Sequence, residues 1–113
     1  MKDLVFCGSS YDDLLDFPKD ARKLMGYELH RLQAGADASD WKSMRSVGQG
    51  VKEIRVHLRN EYRCFYIATI ADAIYVLHVF VKKTRGTPKK DIATGKDRLR
   101  DLRALKAQER MNR

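Results

Sequence analysis

Three times between residues 53 and 81 the chain takes up the pattern of a β-strand, and that leaves little room for a fold without a sheet. Ile54, Val56 and Leu58 alternate with Glu53, Arg55, His57 and Arg59. Arg59-Asn60-Glu61 reads as a reverse turn and Tyr62 to Ile70 as a second strand, rich in aromatics. Ala71-Asp72 reads as a tight connection, and Ala73 to Val81 as a third strand. That last run is almost continuously apolar, which predicts a central strand covered on both faces.

What precedes and follows is helical in period. Lys2 to Cys7 is a short strand around Leu4, Val5 and Phe6, broken by Gly8. Ser9 or Ser10 can cap a short helix that carries Asp12 and Asp13 in its first turn and ends before Pro18. Ala21, Leu24, Met25, Leu29 and Leu32 form the stripe of a second helix from Pro18 to Gln33, with Gly35 as its stop. Trp41, Met44 and Val47 are apolar anchors in a polar stretch, suited to a lid packed on the core. Thr87 and Pro88 open a last helix with a stripe of Ile92, Leu99, Leu102 and Leu105, interrupted by Gly95. The order is β-α-α-β-β-β-α. It predicts an α+β fold, a small antiparallel sheet with helices packed mainly on one face, in a single domain over residues 1–113. The first strand needs an edge, beside either the last strand or the first of the meander.

Hydrophobic residues make up 43% of the chain, enough for a real core, so wholesale disorder is excluded. The longest apolar stretch falls well short of the roughly eighteen residues that span a bilayer. The N-terminus has no long apolar region of the kind a secretory signal needs. Cys7 and Cys64 have neither CxxC spacing nor a histidine at metal spacing, so they read as buried thiols in a reducing cytosol. Residues 1–50 carry 7 basic and 8 acidic side chains, whereas residues 51–113 carry 16 and 7. The second half, at net +9, calls for a polyanionic or acidic partner.

The cations have a place to gather. With the first hairpin turning about Asn60, His57 faces Arg63 and Arg55 faces Phe65. One sheet face then shows Arg55, His57, Arg59, Arg63 and Phe65 together. Guanidinium groups hold phosphates and aromatic rings stack on unpaired bases, so this set suits RNA, with Arg85 of the basic segment Lys82 to Gly86 beside it. A plain solvated face is the alternative. In the second hairpin, a two-residue loop puts His78, Phe80 and Lys82 on the Arg63 face, and a three-residue loop puts Val79, Val81 and Lys83 there. His30 reads as a surface residue and His78 as a hydrogen-bonded core histidine. No nucleophile elbow, phosphate loop, metal triad or paired-carboxylate site is visible.

Glu53-Ile54-Arg55-Val56, then Tyr62-Arg63-Cys64-Phe65-Tyr66, then the run Ile74 to Thr84 with its Lys82-Lys83-Thr84 end, then Thr87-Pro88, resembles the RelE/ParE toxin superfamily. More narrowly it resembles the phage-derived, HigB-like branch, over about Leu4 to Leu102. The resemblance implies a cytoplasmic type II toxin, a metal-independent endoribonuclease that cuts mRNA in the ribosomal A site. It also implies a cognate helix-turn-helix, HigA-like antitoxin. The matching catalytic positions are Arg55, Arg63, Lys82 and Lys83, with Tyr66 as an aromatic or hydroxyl contributor. In such chemistry a 2′-OH attacks the adjacent phosphorus, so a base and an acid are needed and fixed cations stabilise the phosphoryl oxygens. Arg55 and Arg63 suit the last task. Lys82 or Lys83 suits the base, since like charge nearby disfavours a protonated amine, with His57 as runner-up. Unlike relatives with a functional Tyr or His near the C-terminus, this chain has no aromatic from Arg85 onward.

Fold does not fix function. A gyrase inhibitor of the ParE kind and a non-catalytic phage remnant that binds nucleic acid or a partner are the competing readings. The Arg55/Arg63 and Lys82/Lys83 pairs favour RNA.

Overall fold

The computed structural model describes residues 1–70 and 73–113; the expected Ala71-Asp72 connection lies outside them. The elements are β1 (Asp3–Phe6), α1 (Ser10–Leu15), α2 (Lys19–Gln33), β2 (Trp41–Ser43), β3 (Val51–His57), β4 (Glu61–Ile67), β5 (Ala73–Lys82) and α3 (Lys89–Met111). The five strands form one sheet in the order β1-β5-β4-β3-β2.

The α+β class and the β3-β4-β5 meander follow the sequence pattern. Two features of the sheet do not. Strand β1 lies on β5, one of its two expected places, but runs parallel to it, with Leu4 opposite Ile74 and Phe6 opposite Val76. The sheet is therefore mixed, not antiparallel throughout. A parallel pair needs a long crossover, and everything from α1 to β4 lies between these strands. Residues Trp41–Ser43 add an edge strand, pairing Trp41 with Ile54 and Ser43 with Lys52. Met44 and Val47 pack on the core as expected, while Trp41 is part-exposed under the Lys52 ammonium.

The helices divide between the two faces, which corrects the expectation that one face would carry most of them. Leu14, Phe17, Ala21, Met25 and Leu29 of α1, α2 and their connection meet Ile54, Val56, Cys64, Tyr66, Ile74 and Val76 on one side. Leu99 and Leu102 of α3, with Met44 and Val47, meet Val51, Phe65, Ile67, Leu77 and Phe80 on the other. The reason is β4 and β5 themselves: Tyr62–Ile67 and Ala73–Phe80 are buried without interruption, so both faces need cover. Each fully buried Met, Leu, Ile or Phe contributes about 1.5–3 kcal/mol. Gly95 interrupts the stripe because it is where α3 comes closest to the sheet. A Cβ there would lie 2.9 Å from Val47 Cγ1 and 3.0 Å from Phe65 Cδ2. Both later helices begin one residue after their prolines, Pro18 and Pro88, which sit at the cap with extended ψ, so Thr87 is not the cap of α3.

Register decides which side chains share the α3 face. The first hairpin is closed by Leu58 N–H donating to Asn60 O at 3.1 Å, and its centre falls one residue earlier than Asn60. Arg55 therefore stands opposite Arg63 and His57 opposite Glu61, correcting the expected His57/Arg63 and Arg55/Phe65 pairs. A slip of two positions keeps every side chain on its face. Between β4 and β5 the register shifts at Phe65/Tyr66, so Phe65 pairs with His78, Arg63 with Phe80 and Glu61 with Lys82. Of the two alternatives left open, the geometry takes Lys82; Lys83 lies beyond the strand end.

A candidate nucleic-acid site on the α3 face of the sheet

Six side chains of alternating charge form a continuous ladder across the outer end of β3 and β4. His57 donates through Nε2 to Asp40 Oδ2 at 2.5 Å and through Nδ1 to Glu61 Oε1 at 2.6 Å. The same Glu61 oxygen accepts from Arg63 Nη2 at 3.0 Å. Arg63 Nε lies 3.6 Å from Glu53 Oε1, which in turn accepts from Arg55 Nε at 3.1 Å. The sequence builds this directly: Glu53, Arg55 and His57 on β3 and Glu61 and Arg63 on β4 are each two residues apart, on one face of a pleated strand.

The ladder runs from wet to dry. His57 is half-exposed, Arg55 about a quarter exposed, while Arg63 and Glu53 have 5% and 1% of their side chains exposed. Arg63 also donates through Nη1 to the Tyr62 carbonyl at 3.3 Å. Glu53 Oε2 and Arg63 Nε have no hydrogen-bond partner among the described residues. Two arginines directly across a strand pair repel each other, and a buried charge needs a partner. Glu53 between them answers both demands.

Both hydrogen bonds of His57 go to carboxylates, which only accept, so the imidazole holds two protons. Its pKa is raised above the ordinary value by the hydrogen bonds to Asp40 and then Glu61. For Glu61, desolvation works the other way, but the hydrogen bonds from Arg63 and His57 prevail and hold its carboxyl below the usual range.

The structure sorts the residues expected at the site. Arg55, His57 and Arg63 come together, and Lys82, cross-strand partner of Glu61, stands beside them. Arg59 is exposed in the hairpin turn, and Lys83 and Arg85 are exposed in the segment between β5 and α3, outside the ladder. Phe65 is no stacking platform: it is 0% exposed, its ring edge-on to Phe80 at 5.1 Å beneath α3. Tyr66 faces the other way, buried in the α2-side core, and desolvation there pushes its hydroxyl up to about 12. Both corrections have one cause. A strand covered on both faces makes its aromatics core residues, whatever motif they belong to. Arg63 likewise is not an exposed strand arginine but an ion-paired, buried one.

Three acids were missed. Asp40, Glu53 and Glu61 are as much part of the arrangement as the cations. The signal was the i, i+2 spacing of opposite charges and the rule that such residues share a face. His78 is the hydrogen-bonded core histidine its setting suggested, donating from Nε2 to Asp91 Oδ1 at 2.7 Å and stacked on Phe80. Arg98 reaches the Leu77 carbonyl at 2.9 Å and Ser9 Oγ at 2.8 Å, tying α3 to β5 and α1. No helix among the described residues is long and apolar enough to cross a membrane.

A mixed five-stranded sheet covered by three helices, with a cationic edge on one face, is the architecture of a small RelE-like α+β protein. The family model described as phage derived protein Gp49-like (DUF891) matches residues 12–100, and the chain belongs to that family, within the RelE/ParE-like toxin superfamily. The matched span contains every residue of the ladder. No curated protein matches the chain.

Proposed function

We propose that this single-domain chain is the cytoplasmic toxin of a type II toxin–antitoxin pair, of the HigB-like branch, and an endoribonuclease that cuts translated mRNA on the ribosome. In this reading a cognate antitoxin, a helix-turn-helix protein of the HigA kind, holds it inactive. The observation that carries the reading is the Arg55/Arg63 pair, directly opposed on neighbouring strands and held by Glu53, with Lys82 and His57 alongside. An arrangement that brings like charges together and then neutralises them from below is costly for stability alone. It makes sense where those charges meet a polyanion.

The roles follow the exposure. Arg55 donates through Nε to Glu53 and turns the rest of its guanidinium to the phosphoryl oxygens. Arg63, held behind it, adds fixed positive charge where negative charge builds in the transition state. Lys82 takes the 2′-OH proton as that oxygen bonds to phosphorus. His57, doubly protonated, returns a proton to the departing 5′-oxygen, leaving a 2′,3′-cyclic phosphate and a 5′-hydroxyl. No metal or cofactor is required by these steps.

Induction without the antitoxin tests the reading. Labelled methionine uptake falls first, and mRNA isolated at that time carries new 5′-hydroxyl ends. Thymidine uptake falling first with mRNA intact would point to gyrase and overturn it.

A further inference from the structure

The site contains a carboxylate where its ligand belongs. Glu61 Oε1 is bound by His57 Nδ1 at 2.6 Å and by Arg63 Nη2 at 3.0 Å. Each donor is already engaged elsewhere in a way that aims it here. Asp40 fixes the far side of the imidazole, and the Tyr62 carbonyl and Glu53 hold the rest of the guanidinium. The two donors converge on one point, and an anionic oxygen occupies it.

Glu61 is a poor structural anchor for so well-defined a position. Its side chain is 38% exposed, whereas Arg63 is 5% exposed. It is the first residue of β4, directly after the bend at Leu58–Asn60. Rotation about its side-chain bonds would carry the carboxylate into solvent without moving the strand. What it would leave behind is a pair of convergent cationic donors, flanked by Arg55 across from Arg63 and by Lys82 across from Glu61. The imidazole would keep its second carboxylate, Asp40, and with it its charge.

We propose that His57 Nδ1 and Arg63 Nη2 form the seat of a phosphate oxygen, and that Glu61 fills this seat in the free protein as an internal stand-in which the ligand displaces. The chemical class of ligand is a phosphodiester or phosphate anion: a tetrahedral oxyanion accepts from both donors as the carboxylate does, and adds oxygens that reach Arg55 and Lys82. This rests on the ribonuclease reading only for the name of the natural ligand. The seat itself rests on the ladder geometry.

The test compares Glu61→Gln with Asp40→Asn. Each removes one carboxylate charge from His57, but only the first replaces the charged occupant of the seat with a neutral amide, which a phosphate displaces more easily. Inorganic phosphate, and separately a short RNA with a 2′-deoxy substitution at the scissile position, are titrated while the His57 ring signals are followed by NMR. Glu61→Gln binds phosphate roughly tenfold more tightly than the wild type, as expected when a charge-assisted competitor is lost. Asp40→Asn shows much less gain. Equal gains in the two variants would reduce the effect to net charge and overturn the seat; so would weaker binding by Glu61→Gln. If Glu61→Gln shows the gain but neither it nor the wild type cuts RNA on ribosomes, the seat stands and the ribonuclease reading falls. If RNA is cut and the phosphate gain is missing, the seat falls and the ribonuclease reading stands.

Discussion

Arg55 and Arg63 face each other across β3 and β4, and one oxygen of the buried Glu53 lies 3.1 Å from the first and 3.6 Å from the second. Removing that carboxylate charge leaves Arg63 in a dry position with less compensation. Breaking one partner out of a buried ion pair costs about 3–5 kcal/mol. Glu53→Gln should fall near the low end of that range, since Arg55 is part-exposed and its charge stays solvated. Urea unfolding of the two proteins checks it, and a loss below about 0.5 kcal/mol, the level of an ordinary surface change, would mean that Glu53 is not the keystone of the ladder.

The two arginines should respond differently to alanine. Arg55→Ala keeps the fold, because its guanidinium is part-exposed where that of Arg63 is dry, and lowers RNA cleavage by roughly 10²–10³-fold, the usual loss for one transition-state donor. Arg63→Ala leaves Glu53 buried beside a cavity and lowers stability as well, by about 3 kcal/mol. The sequence pattern gives the two arginines the same face and the same task; burial separates them. Melting curves alongside cleavage rates separate the cases. Unchanged cleavage by a folded Arg55→Ala protein removes it from the chemistry.

Why the pattern revealed the cluster but not its partners is a matter of what period two can carry. Alternation assigns Glu53, Arg55 and His57 to one face with certainty, and a hairpin slip of two positions leaves that face intact. It does not say which residue stands opposite which: a turn centred on Asn60 pairs His57 with Arg63, whereas its partner is Glu61. Burial on both faces is the second blind spot. Strand β4 has no polar side except at its start, and an aromatic such as Phe65 looks the same in sequence whether α3 covers it or not. Strand β2 is three exposed residues long, too short for any period to show. The parallel placement of β1 depends on contacts more than sixty residues away.

The pH dependence follows from two shifts of opposite sign. His57 has its pKa raised from 6.5, so its contribution to stability is fully present below pH 6.5 and is lost as pH rises through the raised folded value. Glu61 has its pKa lowered from 4.5, so its contribution is fully present above pH 4.5 and is lost as pH falls through the lowered folded value. Both are complete between pH 4.5 and 6.5, and the effect is small because both groups are exposed and screened. An NMR titration places the His57 midpoint above 6.5, and Asp40→Asn brings it down. Cleavage should fall with the same midpoint as pH rises, if His57 is the acid. A profile insensitive to Asp40→Asn would assign the acid elsewhere.

Gly95 is the closest approach of α3 to the sheet, over Phe65 and Val47. Gly95→Val forces the helix outward, at a cost of about 1–3 kcal/mol for overpacking. It also strains the Asp91–His78 bond one turn away. Thermal melting is the direct measure. A variant as stable as the wild type would show that α3 tilts freely on the sheet, and the face it covers would then be less fixed than the packing indicates.

Salt dependence distinguishes a phosphate-reading face from a generally basic one. On single strands log affinity falls with log salt by about 0.7 for each phosphate neutralised. Four cations, Arg55, Arg63, Lys82 and Lys83, would give a slope near −3 if all touched phosphate. The structure puts Lys83 past the end of β5 and aims His57 and Arg63 at one shared point, so Arg55, Lys82 and that shared seat make about three phosphate contacts. The expected slope is therefore nearer −2, and Arg55→Ala should shallow it by about 0.7. An acidic antitoxin segment that covers the same face would compete with RNA, and its affinity would be less salt-sensitive wherever apolar contacts add to the charge. Titrating RNA and antitoxin at several salt concentrations, on wild type and Arg55→Ala, measures both. A slope unchanged by Arg55→Ala would place RNA on another surface, the basic flank of α3 being the first alternative. A ternary complex with RNA still bound at Arg55 would show that the antitoxin silences the toxin from a different side, such as the α2 face where Leu24 and Tyr27 stand exposed.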